Sequence, residues 1–411
     1  RPRLRDPGAD FTVECWPLDG SRPLTFDMPA ALTAFLEEVD VFIEAKINPL
    51  EQADVNIRFF DHRREDARTD WDREGLPNAA WEQLLARARQ LAIEAGIYSY
   101  PFPEEHGGRN GSNLGMAIIR EHLAARGLGL HNDLQNEHSV VGNNVGLLLM
   151  LEYGTEAQKA EWVDGLKNAT AGFAFGITEP AHGSDATHME TGAVKDGDDW
   201  IINGEKTWNT GVHSAKCDMV MARTSGEPGD AKGITAFMVP MDTPGVSIEQ
   251  YLWTFNMPTD HAHVSFTDVR IPHSAIFGGE GNGLQIVQHF FNENRIRQAA
   301  SSLGAAQYCV DEAVAYARER KPFGKALATN QAIQFPLVDL QARCEMLRAL
   351  IHKTAWLMDR DGAFSVSDKV SICNYQANRL CCEAADTAMQ VHGGMGYSRY
   401  KPFEHIYRHH R

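Results

Sequence analysis

The chain has 411 residues, 43% hydrophobic and 23% charged, an ordinary balance for a folded globular protein. That excludes a mostly disordered chain, a collagen-like chain and a coiled-coil rod, and at roughly 100–200 residues per domain the length suits two to four domains. Lys+Arg total 39 against 55 Asp+Glu, a net charge of −16 that repels phosphate and argues against a nucleic-acid partner.

Residues 1–26 read as an irregular N-terminal segment, broken by Pro2, Pro7, Pro17 and Pro23. The opening Arg1–Pro7 has no apolar core and so is no signal peptide. It also has no initiating Met, which reads as a chain trimmed at one end or both. Residues 27–170 read as a helical domain. Leu32, Phe35, Leu36, Val39 and Ile43 recur at helical spacing until Pro49. Trp81, Leu84, Leu85, Ala88 and Leu91 share one face of a second helix that stops at Gly96. Leu114–Arg126, His138–Tyr153 and Glu156–Leu166 are further helices. No apolar run reaches the roughly 18 residues that span a bilayer.

The period changes near Gly172, and residues 171–282 read as a β domain, a barrel or sandwich. Strands are expected at Gly172–Thr178, Met219–Arg223, Ile234–Val239, Val246–Leu252 and His261–Asp268. Trp200–Trp208 reads as a hairpin with Asn203-Gly204 as its type I′ turn. Residues 283–411 return to helix, with long runs at Ser301–Glu319, Gln331–Asp359 and Asp368–Val391. Short connections make consecutive runs antiparallel, so a bundle is expected. The fold class is therefore α+β: helices, a β module, then a helical bundle.

There is no P-loop, no G-x-G-x-x-G after a strand and no G-x-S-x-G. His261/His263 and His405/His409 have usable metal spacing, but pairs arise by chance among 17 His, and no metal site is expected. The 7 Cys are odd in number and hold no C-x-x-C pair, so a reducing compartment fits better than a disulfide framework. Cys381-Cys382 reads as helix core.

Three segments carry chemistry. Phe175-Gly176-Ile177-Thr178-Glu179-Pro180-Ala181-His182-Gly183-Ser184-Asp185 runs from strand into a Pro/Gly loop whose N–H groups and hydroxyls suit a phosphate or a heteroaromatic edge. Trp208-Asn209-Thr210-Gly211 puts an aromatic where it could stack on a planar cofactor. Arg318-Glu319-Arg320-Lys321-Pro322-Phe323-Gly324-Lys325 ends a helix in a cationic cluster. Taken singly, each has an ordinary explanation: a capped loop, a core Trp, a helix C-terminus.

Taken in order, they closely resemble the acyl-CoA dehydrogenase flavoprotein family. The resemblance also takes in Gly154-Thr155-Glu156-Ala157-Gln158-Lys159, Phe266-Thr267-Asp268-Val269-Arg270-Ile271-Pro272 and Gln390-Val391-His392-Gly393-Gly394-Met395-Gly396, and covers about residues 30–411. It implies an α-helical domain, a β domain and a C-terminal four-helix bundle. Fine features look most like the branch acting on longer or branched acyl chains.

The resemblance implies non-covalent FAD. Phe175, Ile177, Thr178, Gly183 and Ser184 would form the flavin loop, with Ser184 also touching substrate. Trp208 would pack beside the flavin and Thr210 bond near N5. Arg320, Phe323, Gln331, Gln390, Gly393 and Gly394 would reach the adenosine half of FAD bound in a neighbouring subunit, which implies a homo-oligomer, dimer or tetramer. Arg295 would support the substrate pocket. The implied reaction is α,β-dehydrogenation of an acyl-CoA to a 2-enoyl-CoA: a carboxylate takes the α-proton and a hydride leaves the β-carbon for flavin N5. The implied electron acceptor is an electron-transfer flavoprotein. The implied compartment is the cytoplasm of a bacterium, or a mitochondrion or peroxisome of a eukaryote.

One departure stands out. The family's base is a Glu in a Glu-Gly segment expected beyond Arg411, or in some members a Glu immediately before the pocket Arg. The latter position is Asn294, which cannot take a proton. Glu293, one residue off, should point elsewhere on its helix. Either no catalytic base lies within the chain and it is carried beyond Arg411, or the base has been lost. The alternatives on the same fold are a flavin oxidase, monooxygenase or desulfinase, or an FAD-bound structural subunit.

Overall fold

The computed structural model describes residues 28–53, 55–133 and 138–411; the irregular segment read at 1–26 lies outside them. The helical domain begins with α1 (Ala30–Phe42), which buries Leu32, Phe35, Leu36 and Val39 as its periodicity requires. A π turn at Ile43–Ile47 then carries the chain into α2 (Asn48–Glu51), so Pro49 does not end the run. Pro49 follows the π turn directly, inside helical backbone that runs unbroken from Ala30 to Glu51. After α3 (Arg64–Arg68) a small ribbon forms from β1 (Thr69–Asp70) and β2 (Leu76–Pro77).

Next come α4 (Ala79–Glu94), capped by Asn78, and α5 (Asn113–Ala125), capped by Ser112. The helix expected over 138–153 is shorter: α6 is Val145–Tyr153. Its N-terminus is set by Asn144 in the left-handed region (φ +50°), and His138–Asn143 ahead of it is irregular. α7 (Glu156–Lys167) opens on a capping box in which Thr155 and Gln158 satisfy each other's backbone N–H.

Eight strands follow: β3 (Phe173–Gly176), β4 (Gly192–Asp196), β5 (Asp199–Thr210), β6 (Cys217–Arg223), β7 (Ile234–Pro240), β8 (Val246–Tyr251), β9 (His261–Pro272) and β10 (Ile276–Phe277). They form one sheet in the order β10-β7-β6-β4-β5-β9-β8, with β3 parallel to β6. The hairpin placed at Asn203-Gly204 is a correction. Residues 199–210 are one strand, and the tight turn is Gly197-Asp198, with Gly197 at φ +64° and Asp196 paired to Asp199. Asn203-Gly204 is instead a bulge. Gly204 holds φ +146°, and the Asn203 Oδ1 accepts from the Asp268 N–H at 2.8 Å.

β6 and β7 are buried on both faces. Met219, Met221, Ala236 and Met238 pack toward the helical domain, while Val220, Ala222, Phe237 and Val239 join Trp200, Val264 and Phe266 in the sheet's own core. This two-sided burial locks the sheet to the helices.

The bundle is α8 (Gly283–Glu319), α9 (Gln331–Asp361) and α10 (Ser367–His392), closed by the short α11 (Gly394–Tyr397) and α12 (Phe403–His410). α8 starts eighteen residues before the Ser301 expected from periodicity. Its middle is small-residue text, and a Cβ on Gly304 would stand 2.3 Å from the Glu121 carbonyl oxygen, so α5 and α8 touch at the backbone. Asn292 bonds Ser367, Ser302 bonds Asn378, and Tyr316 stacks on His392 at 4.3 Å, so α8 and α10 run parallel in direct contact, with α9 antiparallel alongside both.

Candidate active site

A cavity of about 720 Å³ lies where the helical domain, the sheet and α8 meet. Its walls are Asn143–Leu147 at the start of α6, Phe173 and Phe175 on β3, Thr210 at the end of β5, and Phe290, Asn294 and Gln298 on α8, with Arg408 and His409 of α12 at one side. The three α8 residues are spaced i, i+4 and i+8, one stripe of one helix. Phe175 stacks on Phe290 with ring centres 4.2 Å apart.

The loop after β3 is pinned from behind. Glu179 is 5% exposed and accepts from the N–H groups of Glu190 (2.6 Å) and Thr191 (3.0 Å). Lys206, fully buried, meets it at 2.7 Å and also donates to the Ile177 carbonyl at 3.2 Å. Burial alone would raise the Glu179 pKa; Lys206 and the backbone donors outweigh it and hold the carboxyl below its ordinary value. The Thr178 carbonyl accepts from the Thr207 N–H at 2.9 Å. Ile177 and Thr178 are thereby fixed to β5, while Gly183 and Ser184 stand exposed at the tip.

Trp208 is not a core residue. It is 51% exposed, held out at a second bulge of β5 with φ +65°. Thr210 lies beyond it, its hydroxyl 3.0 Å from His261 Nδ1. Loop, indole and threonine thus stand on neighbouring strands, open on one side, which fits a planar cofactor with a polar edge.

The second set of expected residues is elsewhere. Arg320 ends α8, Phe323 follows it with φ +54° and a fully exposed ring, and Gln331 begins α9. Gln390 is in the last turn of α10, with Gly393 and Gly394 just after. The Tyr316–His392 stack brings these ends together. Phe290 and Arg320 are thirty residues apart on one helix, or about 45 Å at ~1.5 Å per residue. That exceeds the reach of one dinucleotide, so one bound cofactor cannot meet both sets in the same chain.

Arg295 does not line the cavity. Its guanidinium lies over the Phe291 ring at 4.7 Å. The buried cation beside the cavity is Arg297, which sequence reasoning missed. It is 2% exposed, meets Glu293 at 2.6 Å, and donates to the Asn143 backbone oxygen and, at 3.3 Å, to Asn143 Oδ1. Asn143 Nδ2 in turn donates to Asn294 Oδ1 at 3.0 Å. The i,i+4 spacing of Glu293 and Arg297 was the available signal. Asp260 is the one carboxylate on the cavity wall among the described residues. Among them, too, no group of three or more His, Cys, Asp and Glu is placed to hold a metal ion, and no helix is long and apolar enough to cross a membrane.

Family models for the acyl-CoA dehydrogenase N-terminal, middle and C-terminal domains match residues 30–169, 174–269 and 281–411 in turn. A mitochondrial short-chain specific acyl-CoA dehydrogenase from Bos taurus is 34% identical over 77% of this chain and 75% of its own length. The chain belongs to the acyl-CoA dehydrogenase family. It is thus an oxidoreductase of that family, whose cofactor is FAD. Butyryl-CoA dehydrogenase from Megasphaera elsdenii has the same fold, with a TM-score of 0.76 and 27% identity over 94% of both chains. A prolyl acyl carrier protein oxidase, 23% identical over 93% of this chain and 94% of its own with a TM-score of 0.75, shares the fold alone.

Proposed function

We propose that the protein oxidises the Cα–Cβ bond of an acyl-CoA thioester to the 2-enoyl-CoA. The observation that carries this reading is the cavity bounded by Phe175 and Thr210 on the flavin side and by the α6 start and α8 stripe on the other. FAD, when bound, supplies the hydride acceptor. Thr178, Trp208 and Thr210 would hold its ring system, and Gly183 and Ser184 its pyrophosphate. Arg320, Phe323, Gln331, Gln390, Gly393 and Gly394 would serve the cofactor of another copy of the chain, which supports a homo-oligomer. Phe175 and Phe290 exclude water from the reacting carbons.

Two of the chain's carboxylates stand near the reaction: Asp260 on the cavity wall, 3.3 Å from its neighbour His261, and Glu293 beside the cavity. Glu293 is spent on Arg297, and Asn294 offers no base. We therefore place the general base after Arg411, and an electron-transfer flavoprotein as the acceptor. The test compares rates of 2-enoyl-CoA formation for the full-length protein, its Asp260→Asn variant and a protein ending at Arg411. Asp260→Asn should retain turnover, while the shortened protein should lose about 10²–10⁴-fold. Equal rates for shortened and full-length protein place the base within residues 1–411. An oxidase would make hydrogen peroxide without added acceptor, and that outcome replaces the dehydrogenase reading.

A further inference from the structure

The α8 stripe facing the cavity is aromatic at Phe290 and then turns to amides at Asn294 and Gln298. The polarity of this end is set by a chain of hydrogen bonds with one possible direction. A guanidinium only donates. Arg297, neutralised by Glu293 at 2.6 Å, donates to Asn143 Oδ1 at 3.3 Å. Asn143 must then present its NH₂ onward, and it donates to Asn294 Oδ1 at 3.0 Å. The Asn294 oxygen is turned toward Asn143, which leaves its NH₂ as the donor Asn294 presents to a ligand. Glu293 also accepts from Asn113 Nδ2 at 3.3 Å and faces His289 Nε2 at 3.9 Å, so both its oxygens are used. Close by on the wall, the Asn144 amide nitrogen is buried with no acceptor.

A saturated acyl chain packed here would bury amide donors without partners, an unfavourable match. A wall built to hydrogen-bond rejects ligands that lack the matching group. Resting on the acyl-CoA reading above, we infer that the preferred substrate carries an uncharged oxygen on its acyl chain, a ketone, amide or hydroxyl, which accepts from Asn294. Arg297 is neutralised by Glu293, so this chain of bonds does not favour a carboxylate; adipoyl-CoA below tests whether the cavity's other cations, Arg89 and Arg408, recruit one.

The test measures dissociation constants of hexanoyl-CoA, 4-oxohexanoyl-CoA, 5-oxohexanoyl-CoA and adipoyl-CoA by calorimetry on the full-length holoenzyme and on its Asn294→Leu and Gln298→Leu variants. One oxo thioester should bind the wild type about tenfold tighter than hexanoyl-CoA, the value of about one hydrogen bond. Asn294→Leu should erase that ratio; if that variant does not fold, Asn294→Ala answers the same question. Equal binding of the oxo thioesters and hexanoyl-CoA by the wild type overturns the inference while leaving the dehydrogenase reading intact. So does an oxo preference that survives the Asn294 substitutions, or tightest binding of adipoyl-CoA. Binding of no thioester at all overturns the acyl-CoA reading and this inference with it.

Discussion

Glu179 and Lys206 form a 2.7 Å ion pair whose side chains are 4% and 0% exposed. The pair ties the loop after β3 to the middle of β5, and Glu179 also gathers the N–H groups of Glu190 and Thr191. Removing one partner of such a pair leaves an uncompensated buried charge, at a cost of about 3–5 kcal/mol. Lys206→Met should therefore lower the thermal midpoint strongly and release FAD more readily than wild type. A midpoint near the wild-type value, measured by calorimetry, would show that the pair does not hold the loop.

Trp208 occupies a left-handed backbone conformation at φ +65° with half of its surface exposed. For a residue with a Cβ this costs about 1–2 kcal/mol, and glycine removes the cost. Trp208→Gly should leave the apoprotein as stable as wild type or more so, while weakening FAD binding. An apoprotein clearly destabilised by this change would mean that the indole is held for packing.

Arg320 is exposed at the end of α8, about 45 Å along the helix from the cavity residue Phe290. If it meets the phosphate of a cofactor bound to another copy, the charge-assisted bond is worth about 1.5–3 kcal/mol. Arg320→Ala should weaken FAD binding by roughly 10–150-fold, by that energy, with the wild-type oligomer intact in analytical ultracentrifugation. Unchanged affinity in an intact oligomer would remove Arg320 from the cofactor site.

Asp218 is fully buried beside Gly176 and Asn209, one of its oxygens lacking a partner. Burial pushes its carboxyl up to about 7, against the pull of the Asn209 amide and Lys206. An acid whose pKa is raised on folding binds more protons when folded. Its contribution is fully present below the unfolded value near 3.8 and is lost as pH rises through about 7. Asp218→Asn should thus gain stability over wild type as pH is raised from 5 to 8. A difference between variant and wild type that is the same at both pH values would contradict the assignment.

Much of this fold is legible in the residues because single-faced burial leaves a period. Trp81, Leu84, Leu85 and Ala88 mark α4, and Ala262, Val264 and Phe266 mark β9. The first half of α8 hides because Asn292, Glu293 and Arg297 are buried polar residues, so no apolar stripe announces it. Asn203-Gly204 has turn chemistry, but its positive φ is used for a bulge, and only the pairing of β5 with β9 distinguishes the two. Trp208 and Thr210 share β5, and the loop after β3 joins them through the Thr207–Thr178 and Lys206–Glu179 bonds rather than through sequential strand pairing. Arg297 stays hidden for a different reason: an Arg reads as surface, and its partner Asn143 is 154 residues away.

The most direct measurement is anaerobic mixing of the full-length, FAD-loaded protein with a CoA thioester, following flavin absorbance and the thioester product in one turnover. The proposed function predicts loss of the oxidised flavin band with one 2-enoyl-CoA formed per FAD. Flavin that remains oxidised with every straight-chain, branched and oxo-substituted acyl-CoA, or that bleaches without 2-enoyl-CoA, would contradict it.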